Sequence, residues 1–176
     1  MRFVVPDEVV AHMHVREGDV VADFGAGSGY FIPALAEAVG PEGKVYACEI
    51  QKQLVETIGE IARDKGYANV DPLWCDLEAI QGTKLVDDTV DVGLLVNTLF
   101  QLEDKTTALN ELTRVLRPGA KLFVVDWSES WQGLGPTDDH VVREADAKAL
   151  FESAGFTFER TIASGAHHYG LAFRLS

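Results

Sequence analysis

Short runs with no polar face recur along the chain, and between them apolar residues fall three and four positions apart. A run that is apolar on both faces reads as a strand buried in a parallel sheet, and three-four spacing reads as a helix laid over it. Five such runs are DVVADF (19–24), KVYACE (44–49), VDPLWC (70–75), VDVGLLV (90–96) and KLFVVDW (121–127). Between them the spacing predicts helices over 29–39, 52–66 and 105–116, with a short turn near 78–85. Gly66 and the Arg117-Pro118-Gly119 step supply the stops for two of them. A further helix is expected at 143–154, ended by Gly155, and Pro6 opens another over PDEVVAHMHV. Two last strands, 156–163 and 168–176, are joined by the short polar link SGAH, the length of a hairpin, so that pair is antiparallel. Strand and helix alternate before it, which gives an α/β chain with a doubly wound, mostly parallel sheet.

Charge narrows what such a sheet could handle. Lys and Arg number 15 against 28 Asp and Glu, a net charge of −13, which repels phosphate backbones and anionic membranes. No nucleic-acid partner is expected. Apolar stretches fall short of the roughly 20 residues of a transmembrane helix, and the first residues, which do not join basic residues to a long apolar core, are not expected to act as a leader. The two cysteines, Cys48 and Cys75, lie within strand runs without CxxC spacing and read as buried core. A reduced, cytoplasmic protein is the expectation; whether it is a monomer or a homo-oligomer is not legible.

The first strand turns directly into DFGAGSGYF (23–31). Such a turn sets a ligand at the carboxyl edge of the sheet, and glycine serves where a side chain would block it or φ is positive. The dinucleotide fingerprint GxGxxG needs glycine where Tyr30 stands, which weakens a nicotinamide oxidoreductase reading, and no GK[ST] follows to make a phosphate loop. Asp23 instead puts an anion beside the turn, which suits a ligand carrying positive charge.

With VVADFGAGSGYF, the strand ends VYACEI and WCDLE, DVGLLVNTLFQLED and LTRVLRPGAKLFVVDW in this order, the chain resembles the class I S-adenosylmethionine-dependent methyltransferases, and within them the small-molecule branch that includes quinone-biosynthesis enzymes. The resemblance implies a Rossmann-like sheet of order 3-2-1-4-5-7-6 with strand 7 antiparallel. It implies one methyltransferase domain over 1–176: an N-terminal helix in 1–16, a cofactor-binding core at 17–127, and a substrate-side loop, helix and hairpin at 128–176. It also implies S-adenosyl-L-methionine as cofactor, S-adenosyl-L-homocysteine as product, and in-line methyl transfer to a small-molecule acceptor. By position, Asp23, Phe24, Gly25, Ala26, Gly27, Gly29 and Tyr30 would form the cofactor's turn. Glu49 would accept the ribose hydroxyls. Ile50, Asp76 and Leu77 would meet the adenine, and the Asn97 carbonyl would meet the amino group.

Several residues carry two readings. Asp76 also suits the cap of the following turn, and Phe31 suits a helix core. Thr98, Phe100, Trp127, Trp131 and His140 are candidates for the acceptor side, with His140 a candidate base; the tryptophans could equally pack the loop. His12 and His14, two apart, face different sides of a helix and make no metal pair, and no metal is expected. His167 and His168 read as exposed turn residues. The competing function is a cofactor-binding regulatory or partner subunit without transferase activity.

Overall fold

The protein is described here from a computed structural model covering residues 3–176. Met1 and Arg2, which begin the segment expected to hold the N-terminal helix, lie outside the described residues. In chain order the elements are α1 (Pro6–Met13), β1 (Val20–Phe24), α2 (Ile32–Val39), β2 (Lys44–Glu49), α3 (Lys52–Lys65), β3 (Val70–Trp74), β4 (Val90–Val96), α4 (Lys105–Val115), β5 (Leu116–Trp127), α5 (Glu144–Ser153), β6 (Phe156–Thr161) and β7 (His168–Leu175). The seven strands form one sheet of order β3-β2-β1-β4-β5-β7-β6. Pairs among β1 to β5 are parallel, whereas β7 runs antiparallel to both β5 and β6.

Alternate residues of each central strand feed two cores. Val21, Val45, Val92, Leu94 and Val125 pack on one face with α1, α2 and α3, where Leu35 and Ile58 are fully buried. Ala22, Phe24, Leu95, Leu122 and Phe173 pack on the other with α4 and α5, where Phe151 lies 5.0 Å from the ring of Phe173. That double burial is why the strand runs are apolar throughout.

Between β3 and β4 the chain makes turns rather than a helix. They are pinned by Glu111 of α4, a buried carboxylate that accepts from Thr83 N (3.0 Å) and Thr83 Oγ1 (2.6 Å) and pairs with Arg114 Nη2 at 2.7 Å. Burial pushes its carboxyl up, but the hydrogen bonds from Arg114 and Thr83 outweigh this and bring it down to about 2. Arg114, half-buried, also donates to the Leu85 carbonyl at 2.9 Å, so the Glu111–Arg114 pair fixes the segment that follows Asp76.

Some boundaries differ from expectation. α2 starts at Ile32, because 29–31 are spent in the glycine turn. β5 starts at Leu116, which still pairs with Val90 before the register shifts, so the Arg-Pro-Gly step belongs to the strand rather than to a gap before it. A single 3-10 turn, Leu99–Gln101, follows β4 and was not foreseen.

Candidate active site

The glycine turn is anchored from both sides. Gly25 N and Ala26 N donate to the Cys48 carbonyl at the end of β2 (2.8 and 2.9 Å), and Thr98 Oγ1, beyond β4, donates to the Phe24 carbonyl at 3.3 Å. Gly25 has φ +83°, and a Cβ there would run into the Thr98 hydroxyl, so only glycine lets these strand ends close up. Gly29, also at positive φ, packs against Ile58 and Ile61 of α3. Gly27 is different: at φ +55° nothing lies within 4 Å of a Cβ placed on it, so its backbone is bare toward open space.

That space is a cleft of about 390 Å³ at the carboxyl ends of β1, β2 and β4. Glu49 sits on its wall, buried, with Oε2 accepting from Gly27 N at 2.8 Å and Oε1 from Gln51 N at 2.9 Å. Asp23 is buried beside it. Burial first, and then the Glu49 charge, push the Asp23 carboxyl up to about 7. Among the described residues neither carboxylate has an ion-pair partner. Two buried carboxyls facing a cleft without a cation make a site that attracts one.

Asn97 closes the cleft opposite, at φ +52° and with its N–H on the Val125 carbonyl at 2.8 Å. Its side-chain Oδ1 is buried without a hydrogen-bond partner, and its main-chain carbonyl accepts from Gln101 Nε2 at 2.6 Å. Ile50 and Tyr30 line the cleft with exposed apolar surface, 52% and 63% exposed. Leu77 and Asp76 line it too; Asp76 Oδ1 accepts from Glu78 N at 2.9 Å, so it caps its turn and faces the cleft at once.

Phe24 does not line the cleft: its ring is fully buried in the core, and only its carbonyl serves the site, through Thr98. Cys48 and Cys75 are buried, as expected of core, and in addition floor the cleft. Phe31 is buried and lines the cleft as well. Gln101, which lies within the 97–102 stretch expected on the acceptor side, also lines the cleft.

The acceptor-side candidates separate into two places. Phe100 and His140 line a second cavity of about 660 Å³, which shares Gln101 and Leu102 with the cleft. His140 is exposed there, its Nδ1 2.8 Å from Thr137 Oγ1. Trp127 and Trp131 line neither. Trp127 is buried, with Gly135 close against its indole and the His168 ring 4.3 Å away, while Trp131 stacks on His167 at 3.9 Å. Their role here is packing. His167 and His168 are therefore half-buried parts of an aromatic cluster, not the exposed turn residues their place in a hairpin link suggested. Asp126, at the end of β5, is buried and accepts from Trp127 N (2.8 Å) and Phe100 N (3.4 Å), tying β5 to the 3-10 turn. Burial pushes its carboxyl up to about 6.

His12 lies in the last turn of α1 and His14 just beyond it; among the described residues no group of three or more His, Cys, Asp or Glu is placed to hold a metal ion. No helix among them is long and apolar enough to cross a membrane.

Comparison with known proteins agrees with this geometry. Residues 16–162 match a family described as a methyltransferase domain. The ubiquinone/menaquinone biosynthesis C-methyltransferase UbiE of Burkholderia mallei is 32% identical over 125 residues, 71% of this chain and 50% of that protein. The chain thus spans about half the length of the curated relatives it matches. Among solved structures, a SAM-dependent methyltransferase from Aquifex aeolicus superposes with a TM-score of 0.90 at 30% identity, covering 99% of this chain and 91% of that one. A type 11 methyltransferase from Sulfolobus solfataricus shares the fold, with a TM-score of 0.77 at 22% identity, covering 99% and 95%. With the sheet order, the anchored glycine turn and the strand-end carboxylates on the same cleft, these matches establish that the chain belongs to the class I S-adenosylmethionine-dependent methyltransferase family.

Proposed function

We propose that the protein transfers a methyl group from S-adenosyl-L-methionine to a small-molecule acceptor and releases S-adenosyl-L-homocysteine. The observation that carries this reading is the pair of buried carboxyls, Asp23 and Glu49, turned without a cation onto a cleft floored by a bare glycine turn. A cationic ligand relieves the burial of Asp23. Each oxygen of Glu49 already accepts one backbone N–H and keeps a second lone pair for a ribose hydroxyl. The main-chain carbonyl of Asn97 offers an acceptor for an ammonium, and Gly27 leaves room for the ligand to lie on the main chain. Ile50, Tyr30 and Leu77 give apolar walls, and Asp76 a polar edge, for an adenine.

When bound, S-adenosylmethionine supplies a methyl group on a sulfonium centre. The task of this chain's residues is to hold donor and acceptor in line and keep water out, which can supply much of the acceleration without a dedicated base. The second cavity is the acceptor site in this reading. Phe100, Leu102, Pro136, Val141 and Val142 give it an apolar wall, while Thr137, His140, Lys105 and the carboxylates Glu103 and Asp139 provide polar groups. That lining suits a compact, largely apolar ring compound with a polar substituent, and the quinone-pathway C-methylation in the name of the Burkholderia relative fits the same class. His140 is the candidate base for an acceptor that must lose a proton. A single domain working in the cytoplasm with both thiols reduced completes the proposal.

The test is a thermal-shift comparison of S-adenosylhomocysteine with NADH. S-adenosylhomocysteine is expected to raise the melting temperature of the wild type, and much less that of Glu49→Ala, with NADH inert. A rise with NADH alone, or with neither ligand, contradicts the reading.

A further inference from the structure

Gln101 does something no other polar side chain around the site does: it lines both the cleft and the second cavity while its amide caps the carbonyl of Asn97. The residue is exposed, so holding its side chain to one oxygen costs rotamer freedom for a single neutral hydrogen bond. The bonded oxygen is no ordinary one. Asn97 sits in the left-handed region at the end of β4, and its other acceptor, Oδ1, is buried with no donor at all. A charged ammonium makes hydrogen bonds roughly twice as strong as a neutral amide does, so it outcompetes Gln101 for the carbonyl.

We propose that Gln101 is a positioning residue that couples the two sites: in the free protein its carboxamide stands in for the cofactor's ammonium on the Asn97 carbonyl, and once displaced it offers that carboxamide to the methyl acceptor in the neighbouring cavity. The proposal rests on the cofactor reading above, in which Asn97 receives the ammonium. It makes the polar character of the acceptor cavity depend on cofactor occupancy. Acceptor recognition is then complete only after the donor is in place, which prevents an acceptor from settling productively in a protein with nothing to transfer.

Titration calorimetry with S-adenosylhomocysteine and with its deamino analogue, on the wild type, Gln101→Ala and Gln101→Met, tests this without knowledge of the acceptor. Removing the stand-in donor is expected to tighten S-adenosylhomocysteine by roughly twofold to tenfold in both variants, the fold-change of one ordinary hydrogen bond no longer displaced. The deamino analogue, which has no ammonium to compete for the carbonyl, is expected to bind all three proteins alike. Unchanged or weakened S-adenosylhomocysteine binding in the variants overturns the proposal, and so does equal tightening of both ligands, which would mean simple relief of crowding. If the wild type itself binds the two ligands equally well, the ammonium assignment at Asn97 has failed, and the proposal falls with it for that separate and recognisable reason.

Discussion

Replacing Glu49 by glutamine probes the site with little change of shape. The carboxylate accepts from Gly27 N at 2.8 Å and from Gln51 N at 2.9 Å, and an amide retains only one of these acceptors. On the ligand side at least one charge-assisted hydrogen bond to the ribose is lost, worth about 1.5–3 kcal/mol, which is roughly a tenfold to hundredfold loss of affinity. A second effect runs the other way. The Glu49 charge is one of the two causes that hold the Asp23 carboxyl at about 7, so its removal lowers that carboxyl and leaves more of it ionised near neutrality. In the wild type, affinity for S-adenosylhomocysteine is expected to be level above about pH 8 and to fall by nearly tenfold per pH unit below about 7, as Asp23 takes up the proton that the ammonium of this zwitterionic ligand must expel. In Glu49→Gln the plateau drops by at least about tenfold, while the acid limb moves to lower pH. Calorimetric titrations from about pH 5.5 to about pH 8.5 read both effects. A plateau within twofold of the wild type, or affinity that ignores pH in both proteins, refutes the reasoning.

Further outcomes follow from the same groups. Because Asp23 and Asp126 are raised, to about 7 and about 6, chiefly by burial, the folded chain holds their protons more tightly than the unfolded one. Their contribution to stability is full below about pH 4 and lost as pH rises through 6 and 7, so the ligand-free protein is expected to melt at a higher temperature at pH 5 than at pH 8; the reverse order contradicts this. Glu111, lowered to about 2, has the opposite sign: its contribution is present above its ordinary value of 4.5 and is lost as pH falls toward 2. Glu111→Gln takes the charge from the half-buried Arg114, which keeps Asp87 as a second partner, and weakens the bonds to Thr83; it is expected to cost about 1–3 kcal/mol in urea unfolding, and a loss under about 0.5 kcal/mol would exclude the proposed clamp. Gly27→Ala, at φ +55° with open space above it, is expected to lose only about 1 kcal/mol of stability yet at least about tenfold in S-adenosylhomocysteine affinity. Undiminished affinity would mean that the ligand does not lie on that turn.

What the sequence reveals depends on how local the cause is. The strands are legible because burial on both faces leaves runs such as VDVGLLV without a polar side, and the hairpin of β6 and β7 because its link is short. Family resemblance then supplied the strand order, which the sheet bears out. Glu49 and Asp23 were legible as strand-end carboxylates, and the structure brings both to the cleft. The tie between Trp131 and His167 was not legible: it joins a loop to a hairpin link across the sheet edge, and nothing local marks either residue as a partner. Gln101 fell within the stretch expected on the acceptor side, but its tie to the Asn97 carbonyl was not legible, since nothing local marks which carbonyl it caps. Phe24 was assigned by its place in a motif, but the inward face of β1 buries its ring. The short turn expected near 78–85 is present, but the long-range clamp from Glu111 that pins it was not legible.

A crystal structure with S-adenosylhomocysteine bears most directly on the central claim. Both ribose hydroxyls are expected within about 3 Å of the Glu49 carboxylate, the ammonium beside Asp23 and the Asn97 carbonyl, and the main chain at Gly27 against the ligand. A ligand bound elsewhere, or one lying in the cleft with Asp23 and Glu49 turned away from it, would contradict that claim.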